Sequence, residues 1–448
     1  MLRSRPIVTA VAVLASASLL LTGCGSKSSS SASGGGGHLD VFVGAQPNYP
    51  EQFAAWSKDV TAKFKAATGA DLSIETFSSG ADETTKIQAS IVSGTGPDVY
   101  QLGSTFTPVA YATKGFVTLS DADWAKIGGR ARYTPETLAM SGPDAKTQIG
   151  IPSAMRPYAM VYNTDMFQAA GITAAPTTWD QLVKDATTLT KGGVYGLAMD
   201  YADSFDPWKY IWSLTEQGGG AFVSSDLKKA QLTSPQVLTA TSTYFDLLTK
   251  YKLSDPKSVG WKNADAIAAF GQGKAAILPL SGPGNIPSLE KSSVKGKYAF
   301  APLPNVPIGM TARPAGAPAA QSIVSGDNVA IASYSKNKDL ALAYVNIITG
   351  TDMQVAQFNY FGNLPTNQEA FNQLAAKDPT LAPFAIAEKG SRPTAFTGAW
   401  ADVQNGVTNT VVQSLPSLVK GSYDTGAITA LLTKANTAAQ SSLDRANK

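Results

Sequence analysis

The sequence predicts an α/β fold in which strands and helices alternate along the chain. Hydrophobic residues make up 44% and charged residues 15% of the 448 residues, a composition typical of a globular protein. Short apolar runs alternate with longer segments whose apolar residues recur at helical spacing, an order that indicates a parallel sheet with helices on both faces. The length suffices for two domains of ordinary size.

The first helix shows how each element is assigned. Phe53, Trp56, Val60 and Phe64 recur at helical spacing, and Gly69 suits the end of a helix. We therefore expect these side chains to form the core-facing stripe of a helix over 49–69. A strand is predicted on each side of it, at 38–44 and 70–77.

The same reasoning gives the remaining elements. Further strands are predicted at 96–103, 148–154, 158–163, 195–199, 274–280, 297–304 and 328–333. Further helices are predicted at 82–94, 178–190, 206–217, 235–251, 263–272 and 337–349. Thr178 is expected to cap one helix, and Asn163 and Asp165 another. The chain from about 352 to the end is predicted to be mainly helical.

The first 38 residues predict export and a lipid anchor. Residues 7–21 are apolar or small and follow Arg3 and Arg5, a pattern typical of a secretory signal. The run ends in Leu21-Thr22-Gly23-Cys24, which resembles the lipobox of bacterial lipoproteins. We expect a lipoprotein signal peptide at 1–23, a lipid on Cys24 that holds the protein at the outer face of the cell membrane, and a Ser/Gly-rich tether at 24–38. The alternative is that Cys24 is an incidental cysteine near an ordinary cleavage site.

The residue inventory excludes several kinds of chemistry. Cys24 and His38 are the only cysteine and histidine of the chain. A Ser-His-Asp triad, a Cys-His pair and a His-based zinc site therefore have no candidates in the body, and we expect no metal or cofactor. A pair of carboxylates for glycoside hydrolysis remains possible.

The charge balance gives no reason to expect nucleic acid. Without the two leader arginines, 36 − 2 = 34 basic residues face 33 acidic ones, a net charge of +1.

Several motifs occur together in a specific order. They are "SGTGPDVYQL", "GIPSAMRPYAMVYNTDMF", "PTTWDQL", "AIAAFGQGKAAILPL", "FAPLP" and "NLPTN". Together they resemble the extracellular solute-binding proteins of ABC importers, in the branch that includes maltose-binding protein. The resemblance runs from about Leu39 to Leu443.

The resemblance implies a two-lobed periplasmic-binding-protein type II fold with an interlobe ligand cleft. We expect lobe 1 at 39–151 plus 298–355 and lobe 2 at 152–297 plus 356–448. It also implies a monomeric receptor without enzymatic activity. Such a receptor would bind a small-molecule carbohydrate, expected to be an oligosaccharide, and deliver it to the permease subunits of the importer.

The same resemblance and the loops that follow strands give the candidate ligand-binding residues. They are Gln46, Asn48, Tyr49, Gln101, Ser104, Arg156, Asp203, Phe205, Trp208, Gly284, Gly326, Asp327, Asn363 and Trp400. Trp208 and Trp400 are expected to stack on sugar faces, although core packing is the alternative for both. Arg156 is expected either to bridge sugar hydroxyls or to pair with an internal acid.

One departure from the family concerns the turn "SGPGN". Pro283 and Gly284 stand where relatives often carry a tryptophan. This departure puts in doubt whether an aromatic ring stacks on the solute at this side of the cleft.

Three other functions compete with the sugar receptor. A surface glycosidase would need two acids beside an aromatic cleft, and Asp203 and Asp327 are the possible pair. An adhesive lipoprotein would bind no small solute. A receptor for a peptide, a polyamine or another solute is the nearest rival, and the near-neutral charge weakly disfavours it.

Overall fold

Two larger β-sheets and one two-stranded sheet organise the part of the chain that the computed structural model describes, residues 37–46, 49–78 and 80–447. The predicted signal peptide, Cys24, Asn48 and most of the tether lie outside these residues. Within the described ranges, no helix combines the length and the apolar character that a membrane span requires.

The chain up to Met155 builds most of the first sheet. Its strands are β1 (His38–Gly44), β2 (Asp71–Phe77), β3 (Val99–Gly103) and β4 (Gly150–Met155). Its helices are α1 (Pro50–Thr68), α2 (Gly80–Ser93), α3 (Thr107–Ala112), α4 (Asp121–Lys126) and α5 (Pro135–Leu138). As predicted, α1 ends at Gly69, which adopts the left-handed conformation (φ 72°) and donates its N–H to the Lys65 carbonyl.

The middle of the chain builds the second sheet. Its strands are β5 (Ala159–Asn163), β6 (Tyr195–Leu197), β7 (Ala275–Ser281) and β8 (Tyr298–Ala301). Its helices are α6 (Thr164–Ala169), α7 (Trp179–Leu189), α8 (Asp206–Gln217), α9 (Pro235–Thr249), α10 (Asn263–Gly271) and α11 (Ile286–Leu289). Two of the predicted caps are confirmed: Thr178 and Asn163 accept backbone N–H groups at the starts of α7 and α6, at 3.1 and 3.0 Å, while Asp165 lies within the first turn of α6.

The last third is mainly helical, as predicted. It contains the strands β9 (Ser322–Ile323), β10 (Gly326–Ile331) and β11 (Ser391–Arg392). The helices are α12 (Lys338–Ile348), α13 (Thr351–Phe361), α14 (Gln368–Lys377), α15 (Ala382–Lys389), α16 (Trp400–Leu418) and α17 (Thr425–Ala446).

Both larger sheets are mixed, so the predicted parallel arrangement is confirmed for β1, β2 and β3 but does not extend to every strand. The first has the order β2-β1-β3-β10-β4, in which β1 runs parallel to β2 and β3. Strand β10 lies antiparallel between β3 and β4. The second has the order β6-β7-β5-β8, in which β5 is antiparallel to both of its neighbours. The error arises because the direction of a strand relative to its neighbours depends on partners that are distant in sequence. The hydrophobic pattern of a single segment does not identify those partners.

Strand pairing also corrects the predicted lobe boundaries. The boundary at 151/152 falls inside β4, which pairs with β10 along most of its length. The predicted return to lobe 1 at 298 is wrong, because β8 pairs with β5 in the second sheet. The chain rejoins the first sheet only at Gly326, where β10 begins. The boundary at 355 also comes too early, since Phe361 at the end of α13 packs edge-on against Trp56 of α1.

Each sheet is covered by its own apolar core. In the first lobe, Trp56, Val60 and Phe64 of α1 are buried beside the sheet, as the helical stripe predicts. In the second lobe, α7, α8, α9, α16 and α17 contribute to one large cluster. Trp179 belongs to that cluster, and its indole N–H donates to Gln217 at 2.9 Å.

Candidate functional site

Three crossing segments join the two lobes and meet side by side. Met155 and Leu364 exchange two backbone hydrogen bonds of 2.9 Å, and the N–H of Arg156 donates to the carbonyl of Ser325 at 2.8 Å. Because each crossing segment is hydrogen-bonded to another through its backbone, the side chains of the three segments are held close together. The side chains of Arg156, Asp327 and Asn363 meet there.

Arg156 pairs with an internal acid, one of the two roles considered for it. Its two terminal nitrogens donate to the two carboxylate oxygens of Asp327 at 2.8 and 2.5 Å. One of them also lies 3.4 Å from the amide oxygen of Asn363. The carboxylate is 8% exposed and the guanidinium side chain 37% exposed, so the pair lies at the floor of the cleft with only the arginine accessible.

Residues of the first lobe extend this network. The Gln101 amide donates to Asp327 at 2.7 Å and accepts the N–H of Gly44 at 3.1 Å. The Gln46 amide reaches the carbonyl of the same glycine at 3.5 Å. The network therefore joins Gln46, Gln101, Asp327, Arg156 and Asn363, all of them predicted site residues.

Ser104 and Gly326 hold the backbone beside that network. The N–H of Ser104 donates to the carbonyl of Gly326 at 2.9 Å, and its hydroxyl lies 3.4 Å from the carbonyl of Val324. A Cβ on Gly326 would collide with the carbonyl oxygen of Ala154. The structure thus gives both residues a role in strand packing.

A cavity of about 310 Å³ opens next to Arg156. It continues into a groove of about 710 Å³, and the two share Asn263, Gly284 and Asn285. The groove reaches the first lobe at Tyr49, whose hydroxyl donates to the carbonyl of Gly284 at 3.2 Å. The lobes therefore touch across the opening through two predicted site residues. The other cavity-lining residues are Tyr158, Asp203, Phe205, Asp206, Leu280, Gly282 and Pro283.

Asp203 organises the wall of the cavity in the second lobe. One of its oxygens accepts the backbone N–H groups of Phe205 and Asp206 at 2.8 and 3.0 Å. The other accepts the N–H of Asn263 at 3.1 Å. One carboxylate thus holds the starts of α8 and α10 together.

A charged cluster that the sequence analysis missed lies behind this wall. Lys209 pairs with Asp206 at 2.5 Å and donates to the Tyr158 hydroxyl at 2.8 Å. The Asn263 amide donates to Asp206 at 2.8 Å and lies 3.4 Å from Asp200. Burial, followed by the charge of Asp206, raises the pKa of Asp200 well above its ordinary value. The sequence contains one signal for this cluster, namely the three aspartates spaced at positions 200, 203 and 206.

The two tryptophans expected to stack on sugar are core residues in this structure. Trp208 and Trp400 are 0% and 1% exposed, and their rings meet edge to face at 5.8 Å. Trp400 also stacks on Phe222 at 6.3 Å. The correction has a simple cause: helical spacing identifies a face but does not say whether the core or the cleft covers it. We therefore withdraw both tryptophans from the candidate site.

Phe205 takes the place of the tryptophans at the cavity. Its side chain is 41% exposed and lines the cavity, and its ring lies edge-on to Trp208 at 5.9 Å. Tyr158, which was not predicted, lines the same cavity. An aromatic surface for a solute is therefore present, built from different residues than expected.

A buried carboxyl lies close to the network in the first lobe. Glu83 of α2 is 6% exposed, and its Oε1 has no hydrogen-bond partner within the described part of the chain. Burial and then the charge of Asp327 raise the pKa of Glu83 to about 8, against an opposing hydrogen bond from the backbone of Gly103. This carboxyl therefore carries a proton at neutral pH.

A further groove of about 700 Å³ lies between α3 and the segment before α16. Tyr111 and Phe396, which both line it, meet edge to face at 5.6 Å. The two aromatic rings bring the lobes together at a second place, away from Tyr49.

Residues 46–355, most of the chain, match the bacterial extracellular solute-binding proteins. The chain belongs to this family. The match starts at Gln46 and includes Gln101, Arg156, Asp203 and Asp327, whereas Asn363 lies beyond its end.

Relatives of similar sequence include binding proteins of several bacteria. A putative binding protein of Brucella abortus is 25% identical over 342 residues, which cover 76% of this chain and 79% of the relative. The diacetylchitobiose-binding protein DasA of Streptomyces coelicolor is 25% identical over 381 residues, which cover 82% of each chain.

Solved structures confirm the two-lobed fold. The sugar-binding protein MalE of Xanthomonas citri superposes with a TM-score of 0.75 at 17% identity, covering 91% of this chain and 98% of that one. A solute-binding protein of Thermotoga lettingae bound to α-D-tagatose gives a TM-score of 0.72 at 19% identity, covering 91% and 100%. At these identities the likeness concerns the fold alone.

Proposed function

We propose that this protein is the extracellular receptor of an ABC importer, held at the membrane by a lipid on Cys24. It binds a carbohydrate, most simply an oligosaccharide, between its lobes and delivers it to the permease subunits. The observation that carries the proposal is the character of the cavity: aromatic and amide groups line it, Arg156 and Asp206 are each paired with an opposite charge, and Asp203 is occupied by backbone N–H groups.

The pairing of charges favours an uncharged solute. Arg156 is neutralised by Asp327, and Asp206 by Lys209. Asp203 accepts three backbone N–H groups. A charged solute would need an unpaired partner, since burying a charge without one is costly. The hydroxyls of a sugar need only polar partners of the kind that Asn263 and Asn285 offer, together with backbone groups.

The aromatic residues suit the remaining surface of a sugar. Phe205 and Tyr158 line the cavity, and rings of this kind combine a large apolar area with a polarised face. The cavity and the adjoining groove, of about 310 and 710 Å³, fall within or near the size range of small-molecule sites. The continuous opening supports a solute longer than one sugar ring.

The relatives support the same class of solute. One is named for diacetylchitobiose, and solved structures of the same fold hold tagatose, ribitol or maltose. A relative in Sinorhizobium fredii, 24% identical, is named as a probable amino-acid ABC transporter binding protein. Amino acids are therefore the alternative solutes to test.

The glycosidase alternative has less support. A general acid must carry a proton that it can give to the leaving group, and a nucleophile must have a free oxygen. Asp327 is held by Arg156 and Gln101, and Asp203 by backbone N–H groups, so both carboxylates are occupied as acceptors. We infer that the protein binds its solute without cleaving it.

A screen for binding tests the proposal. The body from residue 37 onward is melted with N,N′-diacetylchitobiose, maltose, maltotriose, tagatose, ribitol and a set of amino acids, and each stabilising solute is then titrated by calorimetry. A solute at 100 times its Kd should add roughly 2.7 kcal/mol of stability. Chromatography of the recovered solute tests for cleavage.

The outcome of that screen separates the alternatives. Saturable binding of an unchanged saccharide, with a smaller radius of gyration in scattering experiments, supports a receptor that closes on its solute. Binding of amino acids alone would contradict the carbohydrate assignment. Release of shorter saccharides would show an enzyme.

A further inference from the structure

We propose that Lys209 is a positioning residue of the solute site, which holds Phe205 and Tyr158 in the orientation that a solute requires. This role rests on the proposed function in one respect, namely that the cavity beside the two rings receives the solute. No motif of the sequence pointed to this lysine.

The burial of Lys209 requires an explanation. It lies in the first turn of α8 and is 3% exposed, whereas lysines are almost never fully buried unless they are paired. Removing an ammonium and a carboxylate from water is costly, and an apolar pair of similar shape often serves stability equally well. A buried pair at the edge of a binding cavity is therefore a candidate for a role in specificity.

The ammonium contacts both rings of the cavity. Its nitrogen lies 4.4 Å from the centre of the Phe205 ring and 4.4 Å from that of Tyr158. The distance to Phe205 falls within the range of a cation–π interaction, which is stronger at a desolvated site. Tyr158 is held differently, because the same nitrogen donates to its hydroxyl at 2.8 Å and lies beside that oxygen rather than over the ring face.

The lysine is itself held in place. Asp206 accepts from it at 2.5 Å and accepts from the Asn263 amide at 2.8 Å. Asp206 also occupies the first turn of α8, where a negative charge is favourable. The position of the ammonium is thus set by the ends of two helices and does not depend on the solute.

Phe205 is the residue that most needs such a support. It precedes α8, and its ring is 41% exposed, so packing alone restricts it less than it restricts the buried Trp208 behind it. A ring held before binding avoids the entropy cost of ordering it during binding. Removing Lys209 should therefore weaken the solute complex without removing any group that lines the cavity.

Three variants test the proposal. The double variant Asp206→Asn/Lys209→Met removes the pair and leaves no unpaired buried charge, so it should fold, and asparagine keeps the size and the acceptor oxygen of the cavity-lining Asp206 side chain. Lys209→Arg keeps the cation. Lys338→Met is a control away from the cavity, because Lys338, whose side chain is 42% exposed, pairs with the buried Asp123 in the first lobe at 2.9 Å. Each is purified as the body from residue 37 onward, and its melting temperature is measured first.

Two readouts are used, and the first needs no solute. In ¹³C-phenylalanine-labelled protein, the Phe205 ring signals should be well dispersed in the wild type and Lys338→Met, and averaged in the double variant. The second readout is calorimetric titration with whichever of N,N′-diacetylchitobiose or maltose binds the wild type. We expect about tenfold weaker binding in the double variant, and values within threefold of the wild type for Lys209→Arg and Lys338→Met.

The outcomes are decisive in either direction. Unchanged Phe205 signals in a folded double variant would overturn the proposal, as would unchanged affinity. Loss of affinity in Lys338→Met to the same extent would also overturn it, because the effect would then be general. If neither saccharide binds the wild type, the solute class proposed above is at fault, and the ring signals still decide the role of Lys209.

Discussion

The guanidinium of Arg156 holds both carboxylate oxygens of Asp327, at 2.8 and 2.5 Å. Arg156 lies on the first crossing segment and Asp327 on β10, directly after the second, so the pair links two of the connections between the lobes. The Asn363 amide brings the third connection within 3.4 Å of the same guanidinium. The pair therefore ties the crossing segments together and also forms the floor of the cleft.

Breaking this pair should destabilise the fold. Arg156→Met would leave the carboxylate of Asp327, 8% exposed, without its cation. We expect a loss of up to about 3 kcal/mol in the free energy of unfolding, at the low end for a broken buried pair because the arginine is partly exposed. Urea denaturation measures it. The double variant Arg156→Met/Asp327→Asn should recover most of the loss, and failure to recover any would contradict this account.

Replacing the core tryptophans should affect stability and spare affinity. Trp208→Ala or Trp400→Ala should lower the free energy of unfolding by about 3–5 kcal/mol, because each removes a fully buried ring. The folded fraction should bind the solute within a few-fold of the wild type. Urea denaturation and calorimetric titration separate the two effects, with Trp261→Ala, a partly buried position, as a milder control. A large loss of affinity at unchanged stability would show that these rings contact the solute in the cleft.

Replacing Phe205 should have the opposite pattern. Its ring lines the cavity and is largely accessible, so Phe205→Ala removes apolar area that the solute would cover. We expect about tenfold weaker binding, or roughly 1.4 kcal/mol, with little change in melting temperature. Phe205→Tyr keeps the ring and should keep most of the affinity. Normal binding by Phe205→Ala would place the solute elsewhere in the cleft.

Glu83 should make stability depend on pH. Its pKa is raised from 4.5 to about 8 in the folded protein, so the folded state binds the proton more tightly than the unfolded chain does. Its contribution is therefore fully present below pH 4.5 and is lost as the pH rises to about 8, at up to about 1.4 kcal/mol per pH unit.

The comparison that isolates Glu83 uses Glu83→Gln. Glu216 and Glu388 also have pKa values raised to about 7, so the wild type alone would show a combined slope. Urea denaturation at pH 5, 6.5 and 8 should give a flatter dependence for Glu83→Gln. Glu388→Gln, a matched buried glutamate, should flatten the dependence only up to about pH 7. Parallel curves for the wild type and Glu83→Gln would show that Glu83 titrates normally.

The lipid anchor is tested at Cys24. Cys24→Ala removes the only thiol that could carry a lipid, so the full-length protein should leave the membrane fraction and appear in the soluble exported fraction. Fractionation of cells followed by immunoblotting measures this, and solute affinity should be unchanged. Retention of the variant in the membrane fraction would show that another feature holds the protein there.

The sequence correctly predicted those features that depend on residues close together along the chain. The cap at Thr178, the end of α1 at Gly69 and the buried stripe of Trp56, Val60 and Phe64 depend on residues within a few positions of one another. The motifs around Arg156 also identified the crossing, and the family they suggested is confirmed.

The failures concern relationships between distant segments. The orientation of β10 and the second-sheet position of β8 depend on partners more than a hundred residues away. Trp208 was misassigned because its neighbour Trp400 covers it from the far end of the chain. Lys209 went unnoticed because its environment includes Tyr158, some fifty positions earlier, which no periodicity in α8 reveals.

Strand β10 also dictates the order in which the protein can be assembled. It lies between β3 and β4, yet it follows them by well over a hundred residues, and the whole second sheet is encoded in the interval. A chain still emerging from a ribosome or a membrane channel therefore exposes the unpaired edges of β3 and β4 until Ile331 has appeared. Such long-range pairing slows folding and lengthens exposure to aggregation. We conclude that the first lobe, although it begins first, is completed only after most of the second has been made.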